Sequence, residues 1–200
     1  MKIKPYETIF EDENIIVVYK NRDVLSTYTT DIKTKYKNLY FYVKSYLKNN
    51  NEECYIVHRL DFETSGVMIF AKNKFYKTYL QKCFENQKVE RYYEAVIKEK
   101  IDLNKKFKVN NIIDNKEAIT IIKSINYINI GTALDINILN GRHNQIRIAV
   151  NSLGYTLLGD KRFSKSFEKR LYLNSYKLKF ETSEYLKVNE FEVNPLWIKR

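Results

Sequence analysis

The stretch His58-Arg59-Leu60-Asp61-Phe62-Glu63-Thr64-Ser65-Gly66 (HRLDFETSG) links two short β-rich runs, Tyr55 to Arg59 and Val67 to Lys72, through a polar turn from Asp61 to Gly66. A strand end running into such a turn can hold one carboxylate at a cleft. The plainer reading is a turn closed by an Asx bond. Upstream, Asn14 to Lys20 (NIIVVYK) fits a buried strand ended by Asn21-Arg22-Asp23, and Val24 to Tyr28 fits a second short strand. Between Lys35 and Asn49, Tyr36, Leu39, Tyr40, Val43, Tyr46 and Leu47 recur at helical spacing, with lysines on the other face. Downstream, Phe75/Tyr76, Tyr79/Leu80 and Cys83/Phe84 form a second helical stripe, with Asn73 placed to cap it.

After that helix, Glu90 to Ile97, Ala118 to Ile125, Thr132 to Leu139, Leu171 to Phe180 and Tyr185 to Val193 read as strands. Asn144 to Leu153 puts Ile146, Ala149, Val150 and Leu153 on one helical face, closed by Gly154. Strand pairs with few helical crossovers predict an α+β fold built on a mixed, mainly antiparallel β-sheet with flanking helices. No repeat, low-complexity tract or Gly/Ser/Pro linker interrupts the chain, so residues 1–200 are expected to form one domain. A sheet of this many strands can still divide into two lobes around a central basic cleft.

The composition narrows the partners. Lys and Arg number 35 against 24 Asp and Glu, a net charge of +11, which favours phosphates or anionic lipid. Hydrophobic residues make up 44%, with 17 Tyr and 11 Phe, enough for a packed core and against disorder. No apolar run approaches the ~20 residues that span a bilayer. Two cysteines, Cys54 and Cys83, behind an N-terminus (MKIKPYETIF) without an apolar signal segment predict a reducing, cytoplasmic setting. With only two histidines, His58 and His143, neither an all-cysteine nor a triple-histidine metal site can be assembled. Five glycines are few, so each is expected where backbone freedom matters.

Three motifs fail on inspection. Gly154 to Gly159 has P-loop glycine spacing, but Asp160-Lys161 follows where Lys-Ser/Thr would be needed. Cys54 and His58 are four apart but on a strand-like segment with no second ligand pair. Ser65, His58 and Asp61 crowd one short turn without a Gly-x-Ser-x-Gly elbow, which argues against a hydrolase triad. Beside HRLDFETSG, the other segment that combines charge with glycine is Gly141-Arg142-His143-Asn144-Gln145-Ile146-Arg147, a turn entering a helix. Singly, each reads as a turn or a solvated cap.

Taken in order, the two resemble the RluA family of RNA pseudouridine synthases. HRLDFETSG is similar to the family's HRLD-x-x-T-S-G signature, and GRHNQIR with LGYTLLGDKRF is similar to its G-R-x-H-Q-I-R and L-G-x-P-I-x-G-D segments. Arg91 to Val96 (RYYEAV) resembles its basic-x-Tyr-x-Ala strand, and Asn14 to Lys20 its opening strand. Four of the five glycines fall within these segments. The resemblance implies a pseudouridine synthase fold and an enzyme that breaks the N-glycosidic bond of a uridine in rRNA or tRNA and rejoins the uracil through C5, without cofactor or metal. It makes Asp61 the catalytic aspartate, acting on the sugar carbon or on its 2′ proton. It makes Arg147 the arginine that pairs with this aspartate, and Tyr93 the tyrosine that stacks on uracil. Arg59 would fill the gap left by the flipped nucleotide. His58, Thr64, Arg142, Gln145, Lys20 and Lys72 are then expected to contact RNA, with Lys161 a further phosphate contact.

The pattern also has departures. His143-Asn144 stands where Thr or Lys and then His are usual, Lys20-Asn21-Arg22-Asp23 lacks the Lys-Pro-x-Gly turn, and Leu173-Asn174-Ser175 replaces Leu-His-Ala. A non-catalytic RNA-binding or RNA-folding module is therefore the alternative, and a metal-dependent hydrolase using His58 and His143 a third. No heptad or long apolar stripe demands a partner, so a monomer is expected, and no membrane association.

Overall fold

A computed structural model describes residues 5–198. In it β1 (Tyr6–Glu11) pairs antiparallel with β2 (Ile15–Lys20), which buries every residue except the half-buried Tyr19. After helix α1 (Leu39–Asn49) and the two-residue strand β3 (Tyr55–Ile56) comes β4 (Ser65–Ala71), buried along its whole length. β2 and β4 pair antiparallel from Ile15 opposite Ala71 to Lys20 opposite Gly66, and β3 joins the same β4. Continuous apolar runs rather than alternation mark these strands because both faces are covered. α1 turns Leu39, Val43 and Leu47 inward, and α2 (Lys74–Glu85), packed on β3 and β4, turns in Leu80 and Cys83.

Both helices begin as capping chemistry dictates. The side chains of Asn38 and Asn73 accept the backbone N–H of Phe41 and Tyr76, each satisfying a donor that the first turn leaves free. These elements belong to a compact unit made of the described residues of Met1–Val89 and Lys179–Glu192; a second comprises those of Glu90–Leu178 and Val193–Arg200.

In the second unit the strand order is β9-β5-β8-β7-β6, where β5 is Val89–Ile97, β6 Lys106–Ile113, β7 Lys116–Ile128, β8 Gly131–Ile138 and β9 Leu173–Phe180. β5 with β8, β7 with β8 and β6 with β7 are antiparallel. Helix α3 (Gln145–Ser152) packs on β6 and β7. It ends as the sequence predicts: Gly154 takes φ +79°, its N–H donates to Asn151 O and that of Tyr155 to Val150 O, a Schellman closure. A short β10 (Glu190–Glu192) belongs to the first unit, where the N–H of Phe180 donates to Asn189 O just before it. Glu94 on β5 is fully buried, and its carboxylate accepts from Asn174 Nδ2 (2.8 Å) and from the backbone N–H groups of Leu196 (2.6 Å), Trp197 (2.7 Å) and Ile198 (3.3 Å). A buried charge is thereby satisfied by the C-terminal backbone it anchors.

The mainly antiparallel α+β expectation holds, with local corrections. Val24 to Tyr28 is not a strand: the N–H groups of Leu39 and Tyr40, at the start of α1, take the carbonyls of Leu25 and Ser26. α1 starts at Leu39 rather than Lys35, because Asn38 is extended and its Nδ2 donates back to Thr34 O and Lys35 O. The strand expected over Tyr55 to Arg59 stops at Ile56, and that over Tyr185 to Val193 shrinks to β10. β1 and β6 were not expected. In β6 only Val109 and Ile113 are buried among lysines and asparagines, too sparse an alternation to read.

Candidate active site

Asp61 sits in the turn between β3 and β4, where its carbonyl accepts the N–H of Thr64 at 3.2 Å. Arg59, two residues earlier, is exposed. His58 serves the fold. Its Nε2 accepts the N–H of Ile69 at 3.1 Å, which makes the ring neutral at that nitrogen, and the ring stacks on Phe84 at 4.5 Å.

Three expected RNA contacts in this unit prove internal. Lys20 is fully buried, and its Nζ donates to Val24 O (2.7 Å), Phe62 O (3.1 Å) and Asn21 O (3.2 Å), spending all three ammonium hydrogens. Burial pushes its pKa down to about 7, with Asp23 and Asp61 partly opposing. Lys72 is held by Glu52 (2.6 Å), Glu11 (3.0 Å) and the carbonyl of Asp12 (2.7 Å). Thr64 is 3% exposed. Neither lysine meets phosphate in this arrangement, because the basic strand ends point inward to carbonyls and carboxylates. Asp23 takes φ +59°, the left-handed conformation expected of the glycine in the usual Lys-Pro-x-Gly turn. The departure in sequence thus keeps a left-handed turn residue, since Asp tolerates this region better than most side chains do.

In the second unit Tyr93 lies on β5 opposite Ile136, 8% exposed. Nearby, Arg91 Nη2 donates to Leu139 O, and a Cβ on Gly141 would stand 2.4 Å from Arg91 Nη1. Glycine at 141 is therefore what lets the guanidinium lie against the turn. Gln145, expected on RNA, is also internal: Oε1 accepts the N–H of Arg142 (3.0 Å), and Nε2 donates to Ile119 O (2.9 Å) and Thr120 Oγ1 (3.1 Å). It fixes the Arg142 turn to β7. Arg142 itself is half-buried and His143 exposed.

Arg147 is 4% exposed and meets a residue that sequence reading missed. Its Nε and Nη2 donate to the two carboxylate oxygens of Asp160 at 3.0 and 2.8 Å, a two-point pair, while Nη1 donates to Asn144 Oδ1 at 3.3 Å. Asn144, at φ +55°, leaves the N-terminus of α3 without a side-chain cap and gives its oxygen to Arg147 instead. Asp160, fully buried, also accepts the N–H groups of Arg162 (2.9 Å) and Phe163 (3.1 Å). Burial alone would raise its pKa; the bonds from Arg147 and these amides outweigh it and hold the carboxyl below its usual range. Gly159 before it has φ +77°, and a Cβ there would fall 1.6 Å from Arg170 O. The Gly-Asp pair that rules out a P-loop thus serves as the seat of Arg147.

Among the described residues no group of three or more His, Cys, Asp or Glu is placed to hold a metal ion. Nor, among them, is any helix long and apolar enough to cross a membrane.

Residues 14–152 match the RNA pseudouridylate synthase family. An uncharacterized RNA pseudouridine synthase of Mycoplasma genitalium is 28% identical over 187 residues, covering 84% of this chain and 59% of the relative. The ribosomal large subunit pseudouridine synthase D of Borreliella burgdorferi is 30% identical over 208 residues, covering 90% of this chain and 62% of the relative. The chain thus spans about three fifths of the length of each, 59% and 62%. The solved human RNA pseudouridylate synthase domain containing 1 has the same fold, with a TM-score of 0.75 at 19% identity over 95% of this chain and 83% of the human one. Because the match from 14 to 152 takes in the HRLD turn, the tyrosine strand and the arginine helix, this chain belongs to the RNA pseudouridylate synthase family.

Proposed function

We propose that the chain isomerises specific uridines to pseudouridine in structured RNA, rRNA or tRNA, as a single catalytic domain over residues 1–200. The observation that carries the reading is the HRLDFETSG turn, with Asp61 between two internally braced residues inside the family match. Asp61 supplies the carboxylate that breaks the N-glycosidic bond, at the sugar carbon or at its 2′ proton. The uracil then turns and bonds through C5, the C5 hydrogen leaves to solvent, and N1 gains a proton, so the product is an isomer of the substrate. Tyr93 and Arg147 take the roles that the family pattern gives them, stacking on the base and orienting the carboxylate.

The net charge of +11 supports an RNA substrate, since phosphate attraction offsets the few kcal/mol needed to unstack a base. Exposed Arg59 and Lys161 and half-buried Arg142 remain as RNA contacts. No cofactor enters the scheme, which needs no redox or Lewis-acid step, and a cytoplasmic monomer is the form proposed.

Tritium release from RNA labelled at uracil C5 tests the proposal. Release by the native protein and none by Asp61→Asn is expected. Equal release from both overturns the role of Asp61, and RNA binding with no release by either overturns the enzyme in favour of an RNA-binding module.

A further inference from the structure

The backbone around Asp61 is fixed at four consecutive peptide groups, and three of the four bonds come from two side chains far upstream. Ser26, 4% exposed, places its Oγ on both polar atoms of Leu60: it donates to Leu60 O at 2.6 Å and accepts Leu60 N–H at 3.0 Å. The sulfur of Met68, at 3.6 Å, is the farther acceptor for the same hydroxyl. On the other side of Asp61, Lys20 Nζ donates to Phe62 O, while Asp61's own carbonyl takes the N–H of Thr64. Peptides 59–60, 60–61, 61–62 and 62–63 each have at least one partner, and the middle two set the backbone dihedrals that aim the Asp61 side chain.

The clamp is itself anchored. Lys20 ends β2 opposite Gly66, where β4 begins, so its ammonium reaches the turn from a fully paired strand. Ser26 is held by its backbone, because Ser26 O accepts the N–H of Tyr40 at 3.1 Å and Leu25 O that of Leu39 at 2.8 Å. Those are N–H groups of the first turn of α1, which have no partner within a helix. The start of α1 thus holds Ser26, and Ser26 holds the residue before Asp61.

We propose that Ser26, with Lys20, is a positioning residue for Asp61, acting through the backbone of the turn and without touching substrate. The proposal rests on the reading of Asp61 as the reacting carboxylate. A misplacement on the order of 1 Å at a reacting group costs about 10²-fold in rate, so loosening this turn belongs in kcat rather than in RNA affinity.

The experiment compares Ser26→Cys, which keeps the buried volume but bonds weakly, with Ser26→Thr, which keeps the hydroxyl. Three readouts are taken: kcat and KM on the same labelled RNA, thermal unfolding, and amide hydrogen exchange at Leu60 and Thr64. Ser26→Cys is expected to lose roughly 10- to 100-fold in kcat with KM within about twofold. Its Leu60 amide should exchange at least about tenfold faster while the global unfolding temperature stays above the assay temperature. Ser26→Thr is expected to restore kcat and Leu60 protection together. Unchanged kcat in folded Ser26→Cys, or a loss confined to KM, overturns the proposal, as does full Leu60 protection in that variant. If the native protein releases no tritium, the reading of Asp61 fails, and exchange at Leu60 still decides whether the clamp exists.

Discussion

The turn around Asp61 and the seat of Arg147 are held in opposite ways. The turn that carries Asp61 is positioned through its backbone, by Ser26 and Lys20 reaching the peptides on either side. Arg147 is positioned through its side chain, by a two-point bond to a fully buried carboxylate. Backbone anchoring makes the aspartate's identity a matter of chemistry, since the turn bonds survive its replacement. Side-chain anchoring makes the arginine's identity a matter of folding as well, because losing either partner takes a counter-charge and two hydrogen bonds from a buried ion.

The largest effect expected from this difference is on stability. Asp160→Asn removes a buried counter-charge of Arg147 together with its two-point bond and is expected to cost about 3–5 kcal/mol in chemical denaturation, more than Asp61→Asn, which leaves the backbone bonds of its turn in place. Replacing the pair together, Arg147→Met with Asp160→Leu, recovers part of the loss and not all of it, because the N–H groups of Arg162 and Phe163 lose their acceptor. Similar costs for Asp160→Asn and Asp61→Asn would break the contrast.

The two regions also differ in their response to pH. The Asp160 carboxyl titrates below its usual range, so the stability it contributes is present above the unfolded aspartate pKa and is lost as pH falls through the lower folded value. Lys20 runs the other way. Its folded pKa is about 7, against 10.5 for a free lysine. Between those values the unfolded chain holds a proton that the folded one has shed, and stability rises with pH by at most about 1.4 kcal/mol per pH unit. Denaturation of the native protein and of Lys20→Met at pH 6, 8 and 9.5 checks this: the difference is expected to shift toward the native protein as pH rises above 7. A constant difference would mean that the carbonyl bonds to the ammonium fully offset its burial.

A smaller contrast separates the helix starts. Asn73→Ala removes the oxygen that caps α2 and is expected to cost about 1 kcal/mol. This cap was legible in the sequence because Asn73 stands just before an apolar stripe at local helical spacing. The HRLD turn and the strand after it are legible for the same reason, as patterns within a few residues, while the strand before it is shorter than its pattern. What could not be read is long-range. Ser26 and Leu60 are 34 residues apart, and Arg147 and Asp160 13 apart, with no period to connect them. The expectation that Lys20 and Lys72 contact phosphate rests on their place in or beside the motifs, and lysine is ordinarily a surface residue. Their burial depends on carbonyls and carboxylates converging from other segments, which only the fold brings about.

The smallest expected effect links the backbone and charge arguments at one residue. Asp23 occupies φ +59°, which a side chain other than glycine enters at a cost, and it lies near enough to Lys20 to favour the ammonium. Its ion pair with Arg22, 3.4 Å between two half-exposed side chains, adds little. Asp23→Gly relieves the strained dihedral, although glycine also gives the unfolded chain more freedom, so the net backbone gain is expected to be about 0.5 kcal/mol. At pH 9, where Lys20 is largely neutral in the folded protein, that gain stands alone and the variant should be slightly more stable than the native chain. At pH 6, where Lys20 is charged, removing Asp23 also removes an attraction to a buried cation, and the gain should vanish or reverse. A variant equally stabilised at both pH values would show that Asp23 acts on the turn through its backbone alone, leaving Asp61 as the charge to which the buried ammonium responds.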